Sequence, residues 1–115
     1  MQQFSLRAQY SAESLQALIQ NPTDRQQAIR GAIESVGGKL TNFWGTQGGD
    51  QQGTLITYEM PDDTANQALI NVLIASNALR NINVCQLCTA SEQVESLKKA
   101  QTINKAYEPP AVRRS

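Results

Sequence analysis

Two cysteines three residues apart (Cys85 and Cys88), four glycines between Gly45 and Gly53, and the carboxylates Asp50, Glu59, Asp62 and Asp63 have types and spacings that could do chemistry. A Cys-x-x-Cys pair suggests redox exchange or metal ligation. Its reading depends on the element that carries it. Asn81 to Cys88 reads as a strand, in which positions three apart point to opposite faces, so the two thiols neither close a disulfide nor share an ion. A redox pair opens a helix instead, and a closed zinc site needs four ligands. The glycines lie in GTQGGDQQG, ahead of a strand, whereas a phosphate cradle delivers its anion to a helix N-terminus. Asp62 and Asp63 are explained as helix caps, and Asp50 falls in a loop. The chain has no histidine, which removes the commonest general base and the usual partner of a serine or cysteine nucleophile. No catalytic residue, metal ligand or cofactor is assigned on this basis.

The elements that must position any site follow from periodicity. Phe4, Leu6, Ala8 and Tyr10 alternate with Ser5, Arg7 and Gln9, a strand with one buried and one polar face. From Ser11, a plausible N-cap, Leu15, Leu18 and Ile19 take helical spacing, and Asn21-Pro22 ends the run. Thr23 with Gln26 forms a capping-box pattern ahead of a second helix that places Ile29, Ala32, Ile33 and Val36 on one face and ends at Gly37-Gly38. Gly31 inside it points to close packing. Lys39 to Gln47 and Thr54 to Glu59 read as strands joined by the glycine-rich hairpin loop. Asp62 or Asp63 caps a helix whose apolar set (Ala65, Ala68, Leu69, Val72 and Leu73) is broad enough to predict deep burial. After the fourth strand, a Ser91-capped helix runs to about Ile103 with a thin stripe of Val94, Leu97 and Ala100. The tail YEPPAVRRS lacks any period and is expected to be disordered or draped on a partner.

This order describes an α+β, ferredoxin-like two-layer sandwich: a four-stranded antiparallel sheet, first and third strands central, helices on one face, and an extra C-terminal helix. The expected organisation is a domain over 1–90, the added helix over 91–106 and a flexible tail over 107–115. At 115 residues, a core can form without staples. Ten basic and ten acidic residues cancel, which argues against nucleic acid or an acidic membrane as partner. The N-terminal residues show no signal-peptide pattern and no window has the roughly 20 apolar residues of a membrane span, so a cytoplasmic location is expected. Gln and Asn total 22 against 20 charged residues, so the polarity of the surface is largely amide.

A two-layer sandwich leaves one sheet face bare, and its residues bear most on function. Phe43 and Trp44 are consecutive in a strand, so one packs under the helices and the other stands on the bare face. Leu55 or Ile56, and Leu87 or Val84, join it there. Such a surface is normally covered, and a second copy of this chain is the preferred occupant, with the tail or last helix folding back as the alternative. Arg7 and Glu59 form a possible cross-strand ion pair if the register permits. The candidate ligand or interface residues are therefore Arg7, Trp44, Tyr58 and Glu59, lining a small, partly apolar cavity between sheet and helices or at a dimer seam.

Gly37-Gly38-Lys39, Phe43-Trp44, Gly49-Asp50 and Glu59-x-Pro61-Asp62-Asp63 with the helix that follows resemble, in order and spacing, the GYD domain family over roughly residues 4 to 90. The tyrosine of the Gly-Tyr-Asp signature is absent, so no role of that tyrosine transfers. The resemblance implies a ferredoxin-like, dimeric alpha/beta-barrel protein, a group that includes cofactor-free monooxygenases, isomerase-like enzymes and ligand-binding regulators. The function expected is a homo-oligomeric module, non-catalytic or binding a small molecule. The alternative is a cofactor-free oxygenase or isomerase acting on a small aromatic or carbonyl compound.

Overall fold

The computed structural model describes residues 1–111. Nine elements follow in order: β1 (Gln2–Tyr10), α1 (Ala12–Gln20), α2 (Arg25–Glu34), β2 (Lys39–Thr46), a single 3-10 turn (Gly49–Gln51), β3 (Gly53–Met60), α3 (Asp63–Ala75), β4 (Leu79–Leu87) and α4 (Ala90–Ala106). The strands form one antiparallel sheet in the order β2-β3-β1-β4, so the central pair is β1 and β3, as the ferredoxin-like plan requires. Helices α1, α2 and α3 lie on one face. No helix among the described residues is long and apolar enough to cross a membrane.

The core grows from the alternation in the two central strands. Phe4, Leu6 and Ala8 of β1 and Ile56, Tyr58 and Met60 of β3 are buried on the helix side, where they meet Ile33 of α2 and Leu69 of α3. Phe4 stacks on Tyr58 with ring centroids 5.6 Å apart. A buried phenol needs a partner for its hydroxyl, and Tyr58 donates to Asn66 Oδ1 at 2.5 Å, tying β3 to the first turns of α3. Each edge strand carries a bulge. Thr41 is the extra residue of β2 against β3, and a three-residue step of β4 opposes two of β1 near Asn81, which takes φ 53°.

Caps and burial depart from expectation in several places. Ser11 does cap α1, accepting from Ser14 N at 3.1 Å. For α2 the cap is Asp24, whose carboxylate reaches Gln26 N at 2.9 Å, one residue beyond the Thr23 expected. Asp62 caps α3 through Ala65 N. Helix α4 starts earlier than expected: Thr89, rather than Ser91, closes a reciprocal capping box with Glu92. Helix α3 is shallower than its apolar set implied. Only Ala65, Asn66 and Leu69 are buried, while Val72 and Ile74 are exposed. Gly31 faces open space, so close packing is not its reason.

Every residue of α4 is exposed. At 1.5 Å per residue its 17 residues extend about 25 Å. The radius of gyration is 18.6 Å, against about 13 Å for a compact chain of this length. The helix therefore stands off the sandwich. Of the tail, residues 107–111 are irregular and exposed, and 112–115 lie outside the described residues.

Two glycines predict opposite outcomes. A Cβ on Gly53, which takes φ +154°, would collide with the Ala8 carbonyl oxygen of the neighbouring strand. Gly53→Ala is expected to cost about 3 kcal/mol through strain and overpacking. Gly31→Ala, in open helix surface, should add about 0.5–1 kcal/mol. Urea unfolding of both variants measures the contrast, and equal midpoints would refute it.

Candidate functional site

The strand register sorts the sequence-derived candidates. Trp44 pairs with Leu55, Leu55 with Arg7, and Arg7 with Asn83, so these four form one row across the open face. A second row runs through Asn42, Thr57, Ser5 and Cys85, and a third through Lys39, Glu59, Gln3 and Leu87. Trp44 is 64% exposed while Phe43 packs against the core. Leu55 and Leu87 take the open face, and Ile56 and Val84 the helix side.

The intrachain Arg7–Glu59 ion pair does not form. Arg7 stands opposite Leu55, and Glu59 opposite Gln3 and Lys39, which separates the two by four residues along the strands, about 14 Å. Tyr58 does not share their surface. It is buried on the helix side with its hydroxyl committed to Asn66, and burial pushes its phenol up to about 12. Cys85 lies on the open face and Cys88 beyond the end of β4; both are exposed, free thiols.

Amides organise one end of the open face. Asn81 donates to Gln9 Oε1 at 2.6 Å, and Gln9 in turn donates to the Asp50 carbonyl of the glycine-rich loop. Asn42 donates to Thr57 Oγ1 at 3.0 Å. Arg7, Gln9, Asp50, Asn81 and Asn83 together line a shallow polar depression there.

A larger concavity lies on the other side of the sheet, between it and the helices. It measures about 370 Å³, within the range of small-molecule sites. Leu6 and Phe43 form its floor, Leu18 and Ile29 its helical walls, and Leu73 and Leu79 its far end. The four candidate residues Arg7, Trp44, Tyr58 and Glu59 are not among its lining. Its only side chains that ionise are Tyr10 and Arg25. Burial raises the Tyr10 phenol above its ordinary value, with the Arg25 cation working against that rise. Tyr10 had a visible signal as the last inward position of β1. Arg25 had none, since a single arginine at a helix start is unremarkable until the fold places it over an apolar hollow.

A family model for the GYD domain matches residues 4–97. The chain belongs to the GYD domain family. The match runs through both halves of the sandwich and into the first two turns of α4. No curated protein matches the chain.

Tyr58 yields a test of the core beside this cavity. Tyr58→Phe leaves Asn66 Oδ1 without its donor and should cost about 1–3 kcal/mol at neutral pH. The raised phenol has a further consequence: above pH 10 the unfolded chain loses the proton that the folded chain keeps, so the Tyr58 contribution is full below pH 10 and drains away towards pH 12. Thermal melts between pH 9 and 11.5 should fall more steeply for the wild type than for Tyr58→Phe. Parallel curves would contradict this.

Proposed function

We propose that this GYD-domain protein is a homo-oligomeric small-molecule-binding module, with its ligand site in the cavity between sheet and helices and its open sheet face as the self-association surface. The cavity carries the reading. It is a concave hollow lined mainly by apolar side chains, walled by the sheet and three helices, with only two ionisable groups. That combination suits holding a small, largely apolar molecule. Location in the cytoplasm, where Cys85 and Cys88 stay thiols, belongs to the same proposal.

Self-association is supported by the composition of the open face. Trp44 and Leu87 are exposed large apolar groups on a face that also carries Leu55 and Cys85 among amides, hydroxyls and the charged Arg7, Lys39 and Glu59. Four strands of eight or nine residues present roughly 19 by 30 Å. That is of the order buried per partner in a small stable complex, about 800 Å². Charge complementarity favours a second copy as the partner. Arg7 and Glu59 do not meet within one chain, but a two-fold axis midway between them would set each against the other chain's opposite member, giving the pair twice.

Sedimentation velocity at micromolar concentration should show a dimer. Arg7→Glu should weaken it about tenfold or more, and the swap Arg7→Glu with Glu59→Arg should restore it. A wild-type monomer overturns the interface. For the cavity, the neutral dye N-phenyl-1-naphthylamine should brighten with the wild type and not with Ala32→Trp, which fills the hollow. Equal brightening in both removes the site.

A further inference from the structure

We propose that the cavity is selective for an apolar monoanion, a medium-chain carboxylate whose chain lies among Leu6, Ile29, Phe43 and Leu73 and whose head group is held by the Arg25 guanidinium and the Tyr10 hydroxyl. The proposal rests on the reading of the cavity as a binding site and names what that site takes. Four observations carry it.

Size comes first. A volume of about 370 Å³ admits about twelve water-sized groups at about 30 Å³ each, the scale of a ten-carbon acid. Polarity comes second: the lining is dominated by Leu, Ile, Phe and Ala, so a matching ligand carries its polarity at one end. The third is the state of Arg25. As the first residue of α2 it lines the cavity, yet no carboxylate lies within 4.0 Å of it among the described residues, where the one ion pair is Lys98–Glu95. Its neighbour Asp24 is committed to the Gln26 amide. A solvated cation lining an apolar hollow favours an anionic head group there over a neutral one, and no Asp or Glu lines the cavity to repel it.

The fourth is the pairing with Tyr10. Arg25 and Tyr10 line the same cavity, and the Arg25 cation acts to lower the phenol against the effect of burial. Tyr58 spends its hydroxyl on Asn66, whereas no hydrogen bond among the described residues engages that of Tyr10. Tyr10 stays protonated at neutral pH and is available as a donor. One planar guanidinium fork and one hydroxyl match the two oxygens of a carboxylate. A phosphate dianion would call for more donors than these.

The test is displacement of N-phenyl-1-naphthylamine by decanoate, below its micellar concentration, and by decanol, within its solubility, from wild type, Arg25→Gln and Tyr10→Phe. Arg25 is exposed and has no ion-pair partner among the described residues, so its substitution should leave the melting temperature unchanged. Decanoate should displace the dye about tenfold more effectively than decanol. Arg25→Gln should bring decanoate to the level of decanol while leaving decanol itself unaffected, and Tyr10→Phe should weaken decanoate selectively by a smaller factor. Equal displacement by both in the wild type, or an unchanged preference in Arg25→Gln, overturns the anion selectivity and leaves the cavity reading intact. If neither displaces the dye and Ala32→Trp binds it as well as wild type, the cavity reading falls and this inference with it.

Discussion

The hydroxyl of Tyr58 is buried in the core, and its bond to Asn66 ties the sheet to α3. The ring itself stacks on Phe4, so one side chain links both central strands to the helix layer. Once that side of β3 is committed inward, the alternation of the strand leaves no choice for Leu55, Thr57 and Glu59, which must face out. The rows of the open face follow from the same commitment, through the register with β1 and β2.

Two surfaces result, with different chemistry on the two sides of a single sheet. The helix side holds apolar groups and a hollow between α1, α2 and the end of α3, where Phe43 is only partly covered. The open side holds Trp44 beside Leu55 on a largely polar face, with Arg7 and Glu59 spaced too widely to neutralise each other. Arg25 on the helix side and Arg7 on the open side have no ion-pair partner among the described residues, although acidic and basic residues are equal in number, because several carboxylates serve elsewhere. Asp24 and Asp62 cap helices, and Glu92 completes a capping box in which the hydrogen bonds to Thr89 hold its carboxyl below the usual range.

Most of this architecture was legible in the sequence where a period was long and unbroken. Phe4-Leu6-Ala8 set the strand and its inner face, and the two halves of the chain announced the strand order. Local ambiguities failed for local reasons. Phe43 and Trp44 could not be sorted by alternation alone, because the bulge at Thr41 resets the phase of β2. Asp24 displaced Thr23 as a cap since either side chain can reach the amide two or three residues on. The apolar breadth of α3 suggested depth, but a sheet of four short strands covers only one side of it, leaving Val72 and Ile74 in water. Tyr58 was read as a site residue because an aromatic in a strand carries no mark of which face it takes. The cavity was invisible for another reason: its lining comes from strands and helices scattered between Leu6 and Leu79, and no spacing rule connects them.

The bulges in β2 and β4 have a consequence at larger scale. These are the two edge strands, where unpaired backbone groups invite another strand to add on. Each is interrupted by an extra residue, and at Asn81 the backbone turns into the left-handed region, so neither edge offers a straight ladder for continuation. Lateral growth of the sheet into a ribbon is thereby discouraged at both ends. Contact between copies is channelled to the faces, where a two-fold arrangement exhausts its own surface and stops.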